Sequence, residues 1–261
     1  MPVRALVMGI LNVTPDSFSD GGLHDRPSAA IAHGRRLIAE GADVVDVGGE
    51  SSRPGASAVD EDTELERVLP VVEALASDVR VSVDTAKPAV ARAAVAAGAT
   101  LLNDVTASLA PVAAELGVGW VAMHMQGEPR TMQIDPRYDD VVSEVLGFLV
   151  ERAAAARAAG LREVWVDPGI GFGKTQAHNW ALLAALPSLV EAGFPVVIGT
   201  SRKTFLGALT ASADGATDPA PTDDRLEASV STAVRAVLDG AAMVRVHDVA
   251  ETVAALGAVA A

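Results

Sequence analysis

The sequence predicts an α/β fold: a closed (β/α)8 TIM barrel with its active site at the C-terminal ends of the strands. Three observations carry this. Eight short apolar runs are spread along 261 residues, and each closes on polar residues. Stretches with helical periodicity separate them. The polar closures hold Asp, Asn, His, Lys and Arg, which in such a barrel form one ring around one pocket. Half of the residues are hydrophobic, ample for one core, and the chain reads as one domain over 1–261.

The first run, Ala5–Leu11, ends at Asn12. The loop 12–22 is polar, holds Pro15 and two glycines, and exposes Phe18; it reads as a mobile lid, or as an ordinary βα loop. Helix follows over Pro27–Glu40. The second run, Ala42–Val47, contains Asp46 and opens into Gly48-Gly-Glu-Ser-Ser-Arg-Pro-Gly55, whose Arg53 suits an anion or a solvated surface. Asp60–Ala76 is helical, its acidic first turn matching the helix dipole, and Pro70 predicts a kink or a split. Val79–Val83 closes on Asp84. A helix with proline at its start covers Pro88–Ala97. Thr100–Leu102 ends at Asn103, and a short helix near Pro111–Leu116 leads to Gly119–Met123 and His124.

A long polar loop then precedes a helix over Tyr138–Ala159. The sixth run ends in the most informative stretch, Val164–Thr175, VWVDPGIGFGKT. Its Pro and Gly residues stop a buried strand and let the backbone pass close to other groups. Asp167 at its mouth is costly without a partner. His178–Glu191 is a helix with Pro187 near its end. Val196–Ile198 opens into Gly199-Thr-Ser-Arg-Lys-Thr-Phe-Leu-Gly207, Ala211–Asp224 is a surface linker, and Leu226–Leu238 is helical. Met243–Val246 carries Arg245, ends at His247, and precedes an alanine-rich helix.

The formal net charge of −14 makes nucleic acid and anionic membranes poor partners. No cysteine is present, which excludes disulfides, thiol nucleophiles and Cys-ligated zinc and fits a cytoplasmic protein. The N-terminus reads as a first strand, not a signal peptide, and no apolar run is long enough to span a bilayer. Lys87, Lys174 and Lys203 are the only lysines. They reflect either a bias towards arginine or sites that need a compact ammonium.

Arg202, Lys203, Arg245 and His247 cluster after the seventh and eighth runs, the quadrant where such barrels commonly bind phosphate. A helix opening near Lys203-Thr204 would add N–H donors. Asp84, Asn103 and Asp167 form an opposite quadrant of acceptors. They suit a heterocycle rich in N–H donors, a divalent metal, or the capping of strand ends. His124 is as consistent with a satisfied core histidine as with catalysis. Gly169–Thr175 misses the P-loop spacing by one residue, and no Gly-x-Ser-x-Gly or His-Glu-x-x-His motif occurs.

Taken together, MGILNVTPDSFSDGG (8–22), DVGGESSRPGA (46–56), VSVDT (81–85), ND (103–104), MHMQGEPRTMQ (123–133), DPGIGFGKT (167–175), GTSRKTFLG (199–207) and VRVHDV (244–249) resemble the bacterial dihydropteroate synthases over essentially the whole chain. The resemblance implies that 4-aminobenzoate displaces pyrophosphate from (7,8-dihydropterin-6-yl)methyl diphosphate; with Mg2+, Arg245 and His247 neutralising the leaving group and a weakly nucleophilic amine, a dissociative, SN1-like step is expected. The resemblance also implies roles. Asp84, Asn103 and Asp167 would hold the pterin edge, with Met123 and Phe172 near its ring and Lys203 reaching ring atoms. Asn12, Arg245 and His247 would hold the diphosphate, Asn12 also ligating Mg2+. Ser52 would touch the substrate, and Phe18, Arg53, Pro54 and Thr204 would shape the aminobenzoate site. Asp84, Lys203, Arg245 and His247 would carry the chemistry. A homodimer is implied by the resemblance alone. Two alternatives share the pterin pocket: a methyltransferase-like pterin-binding barrel, which has no use for the phosphate residues, and a catalytically silent paralogue, which should have lost them.

Overall fold

A computed structural model describes residues 4–14, 26–51, 55–56 and 58–260. Eight parallel strands alternate with helices: β1 (Leu6–Asn12), β2 (Val44–Gly48), β3 (Arg80–Asp84), β4 (Leu101–Asp104), β5 (Gly119–Met123), β6 (Val164–Asp167), β7 (Val197–Ile198) and β8 (Met243–Val246). The hydrogen-bonded order is β6-β5-β4-β3-β2-β1-β8-β7. A bridge between Val166 and Val196 and the Val166 N–H bond to the Pro195 carbonyl, 3.0 Å, join β6 to β7 and close the barrel. The helices are α1 (Arg26–Ala39), α2 (Glu61–Leu75), α3 (Pro88–Ala96), α4 (Ala110–Leu116), α5 (Val141–Ala158), α6 (Gln176–Ala184), α7 (Leu186–Glu191), α8 (Thr204–Ala213), α9 (Leu226–Leu238) and α10 (Val249–Ala260). Among the described residues, no helix is long and apolar enough to cross a membrane.

Strand parity divides the core. One set of side chains packs outward against the helices, among them Val45, Val47, Val81, Val83, Leu102 and Val166. The alternate set fills the barrel interior at its N-terminal end: Met8, Val44, Leu101, Val121, Trp165, Val197 and Met243. Two residues further along the same faces the filling turns polar, with Asp46, Ser82, Asn103, Asp167 and Arg245. The register then sets the mouth, pairing Asn12 with Gly48, Gly48 with Asp84, Asp84 with Asn103, and Met123 with Asp167.

The prolines behave differently from one another. The helix expected over His178–Glu191 is two helices, broken at Ala185, with Pro187 in the first turn of α7, where its missing N–H costs nothing. Pro70, by contrast, lies inside an unbroken α2, held by the fully buried Val68, Val71, Val72 and Leu75. Helix α5 starts at Val141, later than Tyr138, because the Asp140 carboxylate caps the Val142 and Ser143 N–H groups. The segment expected as a linker from Ala211 is helical through Ala213, and a 3-10 turn at Thr222–Asp224 follows it. Arg225 ties the segment down by donating to the Ala220 and Arg202 carbonyls.

Candidate active site

The floor of the mouth is a network around Arg245. Its Nε donates to Asp46 Oδ2 at 2.6 Å and its Nη2 to Asp84 Oδ2 at 2.9 Å. Asn103 Nδ2 donates to the same Asp46 oxygen at 2.9 Å, which fixes the carboxamide's orientation. The two quadrants expected from the sequence are therefore one: the phosphate-side arginine is bonded directly to a carboxylate of the acceptor side. The reason is reach, since a guanidinium rising from β8 spans a narrow barrel to β2 and β3. Burial pushes the Asp84 carboxyl up to about 7, with Asp46, Glu64 and Asp104 adding to the shift and Arg245 opposing it. Burial also raises Asp167, against the pull of Lys203.

The β6 side is built by loops. Asp167 Oδ1 accepts the Gly169 N–H at 2.7 Å. Lys203 donates to the Ile170 carbonyl and places its ammonium 4.7 Å from the centroid of the Phe172 ring, a cation–π contact. Burial lowers Lys203 to about 8, while Asp167 favours its charged form. Met123, buried at the end of β5, lies beside Asp167 in register. Lys174 straps the β5 and β6 loops together, donating to the Phe172 carbonyl at 2.9 Å and to His124 Nδ1 at 3.0 Å. Burial holds His124 down to about 3, so its ring is neutral and serves as an acceptor. The satisfied-core reading of His124 is thus the one the geometry matches.

His247 is gripped by Ser201. The serine Oγ accepts the His247 backbone N–H at 3.1 Å and lies 3.0 Å from Nδ1. With the hydroxyl proton directed to Nδ1, a neutral ring carries its own proton on Nε2. Thr204 is exposed at the first residue of α8, whose N-cap, Lys203, makes no side-chain capping bond. Arg202 departs from the basic cluster: Asp248 binds its guanidinium through both Nε and Nη2. All three lysines follow strands. Lys87 joins Glu50 of the β2 loop to Glu64 of α2, at 2.5 Å from each. Each lysine thus meets acceptors close to a strand end, Lys203 a single carbonyl and the face of Phe172.

Phe18, Ser52, Arg53 and Pro54 lie outside the described residues, as does most of the 12–22 loop. Asp46 and Ser201 were not singled out as site residues in the sequence. Asp46 lies two residues before Gly48 and so shares its face, which parity alone could have flagged.

For a metal, the donor set is sparse. Among the described residues no group of three His, Cys, Asp or Glu side chains could hold one. A Cβ at Gly48 would fall 3.6 Å from Asn12 Oδ1 and 3.9 Å from Asp84 Oδ2, so the glycine keeps that corner open. This fits an ion brought in on phosphate oxygens and touched by few protein ligands.

Residues 8–247 match the model of the pterin binding enzyme family. The chain is 49% identical to the dihydropteroate synthase of Mycobacterium leprae, over 98% of this chain and 92% of that one. The chain belongs to the dihydropteroate synthase family of pterin-binding enzymes. Solved structures agree. The Xanthomonas albilineans dihydropteroate synthase with 4-aminobenzoic acid matches with a TM-score of 0.89 at 50% identity, covering 98% of this chain and 92% of that one. The same organism's enzyme in complex with 7,8-dihydropteroate gives 0.85 at 48%, covering 98% and 93%.

Proposed function

We infer that this pocket carries out the reaction of its family: 4-aminobenzoate displaces pyrophosphate from (7,8-dihydropterin-6-yl)methyl diphosphate, giving 7,8-dihydropteroate for folate synthesis. The observation that carries the reading is the joined network of Asn103, Asp46, Arg245 and Asp84, which sets acceptors for a heterocycle's N–H edge against a cation for a diphosphate.

In this reading Asp84, Asn103 and Asp167 accept from the pterin, Met123 and Phe172 flank its ring, and Lys203 reaches ring atoms. Arg245, His247 and Asn12 bind the diphosphate, and the α8 N-terminus with Thr204 borders the aminobenzoate. Ser52, Phe18, Arg53 and Pro54 complete the site from the first two loops. Asn12 would hold Mg2+ together with the diphosphate, and the ion would supply charge neutralisation to the leaving group when bound. Arg245 and His247 stabilise the same developing charge. The bond between the exocyclic methylene and the phosphate oxygen breaks, its electron pair leaving with pyrophosphate. The ionised Asp84 favours the pterin cation that remains. The amine lone pair then closes on the methylene, and the amine loses its proton. Exclusion of water keeps the cation from hydrolysis. The family resemblance extends the reading to a cytoplasmic homodimer, which sedimentation of the purified protein tests.

Incubation with the dihydropterin diphosphate, Mg2+ and 4-aminobenzoate should yield dihydropteroate and pyrophosphate in equal amounts. Pterin binding without product would instead mark a silent paralogue. Positional isotope exchange in the diphosphate without 4-aminobenzoate supports the dissociative step, and its absence, with no pyrophosphate release, counts against it.

A further inference from the structure

We propose that Asp46 is a positioning residue for this reaction: one buried oxygen, Oδ2, fixes Arg245 and Asn103 together and so sets the spacing between the diphosphate end and the pterin end of the pocket. Asp46 is completely buried. A (β/α)8 barrel usually fills such a layer with branched apolar residues, as this one does two residues earlier with Val44. A buried carboxylate is costly unless donors meet it. Here the donors meet only one oxygen, while Asp46 Oδ1 and the Ser82 hydroxyl make no hydrogen bond among the described residues. Stability alone gives no reason for the charge.

Position gives one. In the strand order, β2 stands midway between β4, which carries Asn103, and β8, which carries Arg245. Both side chains converge on Asp46 Oδ2, at 2.9 and 2.6 Å. Arg245 is held on two strands at once, by Asp46 through Nε and by Asp84 through Nη2, which fixes the guanidinium plane and commits two of its N–H groups. The remaining three of its five N–H groups are what it can offer a diphosphate.

The inference rests on the synthase reading, which wild-type turnover tests before any variant is made. Asp46→Asn keeps the shape. Its remaining oxygen accepts only as a neutral group and so holds the Arg245 guanidinium less firmly than the carboxylate does, and its amide can donate to the Ser82 hydroxyl, which is paired with it in register. We expect its melting temperature to hold or rise. The kcat/KM for the dihydropterin diphosphate should fall about 10–100-fold, the loss that small misplacements of binding groups produce. The KM for 4-aminobenzoate should stay within about twofold, since no Asp46 contact leads to that end. The pH profile should move as well. Asp84 faces Asp46 of β2, Arg245 of β8, Glu64 of α2, Asp104 of β4 and Lys203 after β7. Loss of the Asp46 charge should therefore shift the acid limb of kcat/KM to lower pH. In an Arg245→Lys background the same substitution should cost less than about twofold, because both act through one contact. Unchanged kcat/KM and pH profile, or full additivity with Arg245→Lys, would overturn the inference. Should Asp46→Asn not fold, the Arg245 Nε proton of arginine-labelled wild-type protein decides: slow exchange with water supports the anchor and solvent-fast exchange overturns it.

Discussion

At the scale of single residues, two opposite demands meet in the pocket. In the proposed reaction Asp84 is to be ionised, to accept pterin N–H groups and to favour a cation, yet burial pushes its carboxyl up to about 7. Lys203 must be protonated, yet burial brings its ammonium down to about 8. The free enzyme's kcat/KM should therefore be bell-shaped, with an acid limb near 7 from Asp84 and a basic limb near 8 from Lys203. Lys203→Arg should retain some turnover and lose the basic limb, because a guanidinium does not deprotonate in that range. A basic limb unmoved in Lys203→Arg would assign it to another group, with Lys174, lowered to about 7, the first candidate. Residues such as Asp84, Asn103 and Asp167 were legible in the sequence because each ends an apolar run. Asp46 was not, because it sits inside its run, and Ser201 was not, because a serine among Thr, Arg and Lys carries no spacing signal.

At the scale of elements, the site depends on two loops that approach more closely than side chains permit. Gly169, at φ 65°, and Gly173, at φ 62°, lie in the left-handed region. A Cβ at Gly169 would overlap the His124 carbonyl oxygen, and one at Gly173 would overlap that of Gln126. Gly169→Ala should thus combine about 1–2 kcal/mol of backbone strain with displacement of the β5 loop. Gly117→Ala is the control, since its φ is 69° but nothing lies within 4 Å of the added Cβ. At about 2–4 °C per kcal/mol, thermal melts should show Gly169→Ala losing clearly more than Gly117→Ala and losing pterin binding with it. Equal losses would show that the close approach is not what the glycine serves. The glycine-rich stretch was legible as a close backbone approach, but what it approaches was not, because His124 and Gln126 belong to another loop. Pro70 and Pro187 make the same point for helices. A proline's local cost is readable from sequence, whereas the packing that outweighs it at Pro70 is tertiary.

At the scale of the whole molecule, strand order and the position of the pocket followed from the alternation of apolar runs and helices, which leaves few alternatives for eight parallel strands. The polar layer inside the barrel did not follow, since it arises only when eight faces are closed on one another. That layer gives the fold a pH signature. The Asp84 carboxyl titrates at about 7 in the folded chain against 3.8 for an ordinary aspartate. Below both values the group is protonated in either state and contributes nothing to the balance. As the pH rises between them, the unfolded chain releases its proton while the folded chain still holds it. Folding stability is therefore lost across that window and stays lost above it. The raised Asp167 acts in the same direction. Asp84→Asn removes one such group, so its melting temperature should exceed that of the wild type by more at pH 8 than at pH 5, while turnover collapses. The net charge of −14 makes both proteins self-repelling at high pH, but the substitution changes it by only one, so subtracting the two melting curves cancels most of that effect. Parallel curves of melting temperature against pH would mean that Asp84 is ionised in the folded chain throughout, and that Arg245 and Lys203 neutralise it more completely than its burial predicts.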